Sequence, residues 1–177
     1  MPGIVVAALV AVLALVLTGS SPPTVRLRPF RLPLEGATGV VPGQTVTYPL
    51  TAANAGRPVV LVFFASWCTE CRADVPVVAR VATAERRAGD RVVFLGIDGN
   101  DTPATGWAFA HARGVTFPLA DDENEVVANQ IGLTGLPSTA VVAPDGLVTA
   151  RFTGPVSAAT LEAAIARVAP RHAVMPG

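Results

Sequence analysis

Lysine is absent from this 177-residue chain: all 13 cationic side chains are arginine, and 13 Asp and Glu balance them. Without lysine there is no Schiff-base amine and no phosphate-loop lysine. Formal neutrality removes the basic excess that phosphate binding requires, so nucleic acid is not an expected partner. Aromatic residues are scarce at 6%, and Ala, Val and Leu carry most of the apolar 51%. Histidine occurs only at His111 and His172, and cysteine only at Cys68 and Cys71. Two cysteines three apart close no long loop, which excludes a disulfide scaffold. Nor do they make a four-thiolate zinc site, and the histidine spacing fits no zinc finger. Asp98, Asp101, Asp121 and Asp122 remain as candidate metal ligands. They stand where a strand end and helix caps are predicted, so no metal is expected. His111 ends a predicted helix, where a cation suits the dipole, and carries no assigned role.

Charge is also missing from residues 1–25, and Ile4–Leu17 is an unbroken apolar run of 14 residues. That length suits a signal-peptide core or a short tilted anchor better than a full span of about 20 residues. Residues 1–19 are therefore read as a signal peptide or membrane anchor. Arg26, Arg28 and Arg31 come after the run, and a literal positive-inside count would hold the domain in the cytoplasm. An N-terminal apolar run nevertheless normally exports the domain attached behind it, so the expected location is the cell membrane, with one anchor and an extracytoplasmic domain. Secretion after cleavage is the alternative. Leu17-Thr18-Gly19-Ser20 resembles a bacterial lipoprotein box with Ser in place of the lipidated Cys, which excludes lipidation there.

Residues 20–29, with three prolines, read as a linker, 30–169 as the folded domain, and 170–177 as a loose tail. Strand-like pieces lie around Phe30–Leu34 and Thr45–Leu50, with one helical turn or a loop over Thr51–Gly56. Pro58–Phe64 is a β-branched and aromatic run that predicts a strand buried on both faces. A helix is predicted from Cys68 to Ala88, with Gly89 at C′ and Pro76 as a kink. Arg91–Ile97 reads as a second buried strand. Thr102-Pro103 opens a helix that Gly114 ends. Val115–Leu119 is a short strand or loop, and Asp122 with Glu125 forms a capping-box variant opening a helix that stops near Gly132. Ser138–Ala143 and Leu147–Phe152 flank the turn signal Pro144-Asp145-Gly146. Ser157 caps a last helix whose apolar face is Leu161, Ala164, Ile165 and Val168. Strands alternating with helices, then a hairpin, predict an α/β fold with a parallel core and added antiparallel strands.

The chemistry gathers at Trp67-Cys68-Thr69-Glu70-Cys71, between a buried strand and a helix. At a helix N-terminus, unpaired N–H groups and the dipole favour a thiolate on Cys68. Cys71 lies one turn on, within reach of Cys68. The first sulfur is placed to attack and the second to resolve, the arrangement of thiol–disulfide exchange through a mixed disulfide.

Val62-Phe-Phe-Ala-Ser-Trp-Cys-Thr-Glu-Cys71, Pro76, Gly135-Leu-Pro-Ser-Thr139 and Pro144-Asp-Gly146 together resemble the thioredoxin superfamily. More narrowly, residues 30–169 resemble the TlpA/ResA-like membrane-anchored thiol–disulfide oxidoreductases of bacteria. The resemblance implies a thioredoxin fold: a mixed central sheet flanked by helices, with an N-terminal strand extension and an N-terminal hydrophobic helix. It implies that Pro137 is cis and packs beside the cysteines, and that the backbone of Leu136 pairs with a substrate strand. It implies a proton-handling role for Asp74, three residues after the second Cys, where the family usually carries Glu. A solvated helix carboxylate is the plain alternative. Two positions depart from the family. Val62 stands where relatives often carry Asn or Asp, so no proton route runs through it. Glu70 replaces a frequent Pro, and its charge disfavours the thiolate, which favours the disulfide and makes the dithiol a better reductant. Trp67 is expected to shield the cysteines and to offer a substrate contact.

The resulting expectation is an extracytoplasmic dithiol–disulfide oxidoreductase that reduces protein disulfides, with cytochrome c maturation as one destination. It needs no cofactor beyond the Cys68–Cys71 couple, draws electrons from a membrane thiol donor, and acts as a monomer. A peroxiredoxin-like peroxidase is an alternative, but Leu61 and Ala65 break the pattern such enzymes carry before the reactive Cys. A thioredoxin-like binding module docking partners at Leu136-Pro137 is the non-catalytic alternative.

Overall fold

The computed structural model describes residues 25–48 and 56–169. The expected N-terminal anchor, the helical turn or loop at 51–55 and the tail at 170–177 lie outside the described residues. Among those described, no helix is long and apolar enough to cross a membrane.

Among the described residues, seven strands form one mixed sheet. They are β1 (Phe30–Gly36), β2 (Gly39–Tyr48), β3 (Val59–Phe64), β4 (Val93–Asp98), β5 (Leu119–Asp121), β6 (Ser138–Val142) and β7 (Val148–Thr153), in the order β2-β1-β5-β4-β3-β6-β7. β3, β4 and β5 run parallel, β6 and β7 extend the sheet antiparallel beyond β3, and the β1–β2 hairpin closes the other side through a single antiparallel pair, Leu34–Ala120. Helices α1 (Cys71–Arg87), α2 (Pro103–His111), α3 (Val126–Ile131) and α4 (Ala158–Val168) complete the fold.

The central strand β3 is buried at all six positions. Its alternation sends Val60, Val62 and Phe64 to the face covered by α1, α2 and α4, and Val59, Leu61 and Phe63 to the face covered by α3. α1 ends in a Schellman motif: Gly89, at φ 110°, donates to Arg86 O, and Asp90 donates to Glu85 O. Ser157 caps α4 by accepting from the Thr160 amide at 3.1 Å.

Several boundaries differ from expectation. α1 starts at Cys71, not Cys68, because the preceding residues turn more tightly: Arg72 and Ala73 donate to Thr69 and Glu70 in i→i−3 bonds, and the α-ladder begins at Asp74. β4 begins at Val93, since Arg91 turns aside to bond Glu85 and the Ala169 carbonyl. The short strand after α2 is 119–121 rather than 115–119: the Val115 amide closes back on Ala110, and Pro118 has no N–H for a ladder. Asp122 caps α3, accepting from the amides of Val126, Val127 and Ala128, but Glu125 does not reciprocate and bonds Asn100 instead.

The stretch read as a linker is structured from Val25 onward. Val148 donates to Val25 O and Leu27 donates to Gly146 O, each at 2.9 Å, and Arg26 pairs with Asp145. Leu27 is buried with Phe30 and Tyr48, whose rings stack. The segment thus covers part of the face on which α3, only six residues long, packs.

Under α2 lie two buried acids, Glu35 on β1 and Asp98 at the end of β4, 5% and 1% exposed. α2 closes so tightly here that a Cβ at Gly106 would sit 1.7 Å from Asp98 Oδ2. As ionised groups their only nearby donor among the described residues is the Gly99 amide, which favours the Asp98 carboxylate but also bonds Phe64 O; a proton on Glu35 supplies a second donor towards Asp98. Burial first, then the charge of Asp98, pushes Glu35 up to about 9. Burial, then the charge of Asp101, pushes Asp98 up to about 7, against the hydrogen bond from Glu35. The folded pair therefore holds protons that the unfolded chain releases near 3.8 and 4.5. Its contribution to stability is complete below about pH 4 and is lost as pH rises through about 7 and about 9. Melting temperatures measured from pH 5 to 9 should fall across the range. Glu35→Gln, which keeps an amide donor for Asp98, should flatten the fall; an unchanged slope would place its origin elsewhere.

Candidate active site

The end of β3 delivers the chain into a turn in which the Cys68 amide donates to Ala65 O at 3.2 Å. Three residues later α1 begins, and its first amide, that of Cys71, donates to Cys68 Sγ at 3.1 Å. The sulfurs are joined, S–S 2.11 Å, with the Cα atoms 5.3 Å apart. Cys68 is 6% exposed and Cys71 fully buried, so an incoming group reaches the first sulfur. When the disulfide opens, the amide that bonds Cys68 Sγ and the positive end of the 17-residue α1 favour charge on Cys68.

The loop after β4 clasps the cysteine turn from one side. Gly99 donates to Phe64 O at 3.2 Å, the Ser66 amide donates to Asp101 Oδ2 at 2.6 Å, and Trp67 Nε1 donates to Asn100 O at 3.0 Å. Trp67 is thereby held in place while 59% exposed. On the other side stands the 135–137 loop, with the Leu136–Pro137 peptide cis. Ser138 Oγ donates to Gly135 O at 2.7 Å and Gly154 donates to Pro137 O at 2.8 Å, which fixes the loop. Leu136 packs against the apolar cluster containing both cysteines. Neither its N–H nor its carbonyl has a hydrogen-bond partner among the described residues. Gly135, Leu136 and Trp67 share a cleft of 270 Å³.

Asp74 is not a solvated helix carboxylate. It is 1% exposed, its Oδ1 accepts from the Val156 amide at 2.7 Å, and its Oδ2 is buried without a partner. Burial raises its pKa, and the Val156 bond opposes the rise only in part. Glu70 precedes α1 as an exposed residue and makes no side-chain cap. Val62 is buried in the middle of β3, an apolar position. Cys68, Cys71, Trp67 and Leu136 thus meet at one end of the sheet, with cis-Pro137 beside Leu136.

The sequence reading missed three contributors. Asn100 and Glu125 form a rim, bonded at 2.7 Å, and Asp101 secures the Ser66 amide. Polar loop residues of this kind carry no periodic signal. Of the four aspartates weighed as ligands, Asp122 serves α3, Asp101 serves the cysteine turn, and Asp98 is buried beside Glu35. No group of three or more potential metal ligands occurs among the described residues.

Comparison with known proteins agrees with this geometry. The chain is 26% identical over 117 residues to the thiol-disulfide oxidoreductase ResA of Oceanobacillus iheyensis, covering 66% of this chain and 60% of that protein. It is 28% identical over 144 residues to the thiol:disulfide interchange protein HelX of Rhodobacter capsulatus, covering 80% and 70%. The chain spans less than two thirds of the length of the first ResA relatives it matches. Among solved structures, dsbF of Mycobacterium tuberculosis superposes with a TM-score of 0.64 at 26% identity, covering 78% of this chain and 94% of that one. A DsbE-type protein of Chlorobium tepidum shares the fold, with a TM-score of 0.67 at 20% identity over 84% and 99%. Residues 35–165 match the Redoxin family model, and with a thioredoxin-type fold built around the Cys68–Cys71 disulfide this chain belongs to the Redoxin family.

Proposed function

We propose that this chain is an extracytoplasmic dithiol–disulfide oxidoreductase that reduces disulfides in protein substrates. The observation that carries the reading is the Cys68–Cys71 disulfide at the start of α1, with the Cys71 amide on Cys68 Sγ and the free Leu136 backbone nearby. In the reduced protein the Cys68 thiolate attacks one substrate sulfur. The substrate S–S bond breaks as the Cys68–substrate bond forms, and the departing thiolate takes a proton. Cys71 then gives up its proton and attacks Cys68 Sγ, which re-forms the internal disulfide and expels the second substrate thiolate. Two electrons pass to the substrate, and a membrane thiol donor restores the dithiol. The unpaired Leu136 N–H and carbonyl suit pairing with an extended substrate strand. The names of the relatives support the chemistry, and cytochrome c maturation is the pathway in which we place it.

Asp74 is the group placed to take the Cys71 proton: it lies one helical turn on, is buried, and has an unpartnered oxygen. Because burial raises its pKa, it accepts a proton only as pH rises through that raised value.

Purified reduced protein should reduce insulin, and Cys68→Ser should abolish the activity. Cys71→Ser should instead accumulate a mixed disulfide, visible as a thiol-cleavable mass adduct; absence of both would refute the reading. In a glutathione titration the potential should fall near the reducing end of the thioredoxin range, about −270 mV, rather than near −120 mV. Glu70→Pro, at a residue whose φ of −72° accommodates proline, should move it about 30 mV towards oxidising values. Asp74→Asn should slow resolution of a preformed mixed disulfide roughly tenfold and delete the pH limb due to Asp74, leaving that of the thiol alone. An unaltered pH–rate profile would leave Asp74 a purely structural link to Val156.

A further inference from the structure

The cleft beside Trp67 is lined by apolar side chains and, at its rim, by the polar residues Asn100 and Glu125. Its floor is apolar, with Phe63 and Ile97, and one wall is the segment Leu133–Leu136. The opposite rim is a connected chain of groups. Trp67 Nε1 bonds Asn100 O, and Asn100 Nδ2 donates to Glu125 Oε1 at 2.7 Å. Asn100 and Glu125 both hold left-handed backbone, φ 57° and 52°, where residues with a Cβ are strained. Of these, Asn adopts this region readily, whereas Glu seldom does, and the two side chains meet in the 2.7 Å bond.

The charge at this rim is one-signed. No arginine lines the cleft. The Arg151 guanidinium donates to Ile131 O, at the other end of α3. Asp122 also lines the cleft, but its carboxylate is 2% exposed and occupied by three amides of α3. Glu125 is exposed, and only one of its oxygens is engaged by Asn100. The cleft therefore offers an apolar floor, a nearby free strand edge at Leu136, and one available carboxylate.

We propose that this cleft seats the substrate segment flanking the attacked cysteine, and that Glu125, oriented by Asn100, selects segments carrying a lysine or arginine there. The assignment rests on the oxidoreductase reading and adds the substrate class: disulfide-bearing chains with a cationic residue close to the reactive sulfur. Glu125 touches the substrate flank and takes no part in the exchange of bonds.

The test uses the reduced full-length protein and a set of disulfide peptides that differ only in Lys or Gln at positions flanking the attacked cysteine. At one position and low ionic strength, the lysine peptide should react roughly three- to fivefold faster, as for an exposed ion pair, with the difference in KM. The preference should vanish near 1 M salt, where screening acts within about 3 Å. Glu125→Gln keeps the acceptor for Asn100 and removes the charge, and should bring the ratio to about one. Glu123→Gln, a neighbouring exposed carboxylate outside the cleft, should leave the ratio as it was. A wild-type ratio near one at every position would overturn the proposal, as would equal loss of preference in Glu123→Gln. Failure to reduce any of the peptides would overturn the oxidoreductase reading, and the selection with it.

Discussion

The bond from the Cys71 amide to Cys68 Sγ ties the chemistry to the backbone. It exists because a strand and a helix meet at this point. β3 is buried along its whole length and paired on both sides, by β4 and β6, so its end is among the least movable points in the fold. The cysteine turn hangs from that end, and the loop 99–101 fastens it through Phe64 O, the Ser66 amide and the Trp67 indole. The helix then presents its first amide to Cys68 Sγ, the sulfur that carries charge in the proposed reaction. Weakening any of these supports would move Cys68 relative to the Leu136 edge without touching a reacting atom.

Legibility in the sequence tracked the physical character of each element. β3 could be read because a β-branched and aromatic run between turn residues has few other uses. Cys68, Cys71 and Pro137 could be read because their spacing and resemblance are specific, and the cis peptide agrees. What escaped was burial of polar groups. Nothing around Asp74 in the chain announces that Val156, 82 residues away, will meet its carboxylate. Glu35 stands in a hairpin strand whose alternation marks it as an ordinary edge position, yet α2 covers it. The proline-rich stretch before Phe30 resembled a linker because pairing of Val25 and Leu27 with the β7 side depends on a partner more than 100 residues on. Long-range contacts of this kind leave no local period to detect.

Neutral composition conceals a segregation of charge. Glu70, Asp74, Asp98, Asp101 and Glu125 lie in or against the elements that frame the disulfide, and three of them bond backbone or side-chain donors of those elements. Three of the 13 arginines pair with acids elsewhere: Arg26 with Asp145, Arg57 with Asp90 and Arg91 with Glu85. Carboxylates outnumber cations around the disulfide, where Arg72 on α1 and Arg113 over the Phe109 ring are the nearby arginines.

The helix amide and the carboxylates oppose one another, and burial decides when each applies. The helix amide favours a Cys68 anion at any pH, whereas a carboxylate opposes it only when ionised. Glu70 is exposed, so solvent weakens its effect on the sulfurs. Asp74 is buried, where an ionised carboxylate acts more strongly, but the same burial holds its proton longer. Its charge therefore emerges at a higher pH than that of an ordinary aspartate. In the proposed reaction only the ionised form of Asp74 can accept the Cys71 proton, and at that stage Cys68 is bonded to the substrate sulfur and carries no charge for the carboxylate to repel. Burying Asp74 against Val156 thus makes its carboxylate a stronger base than an acid in water at the same helical position would be.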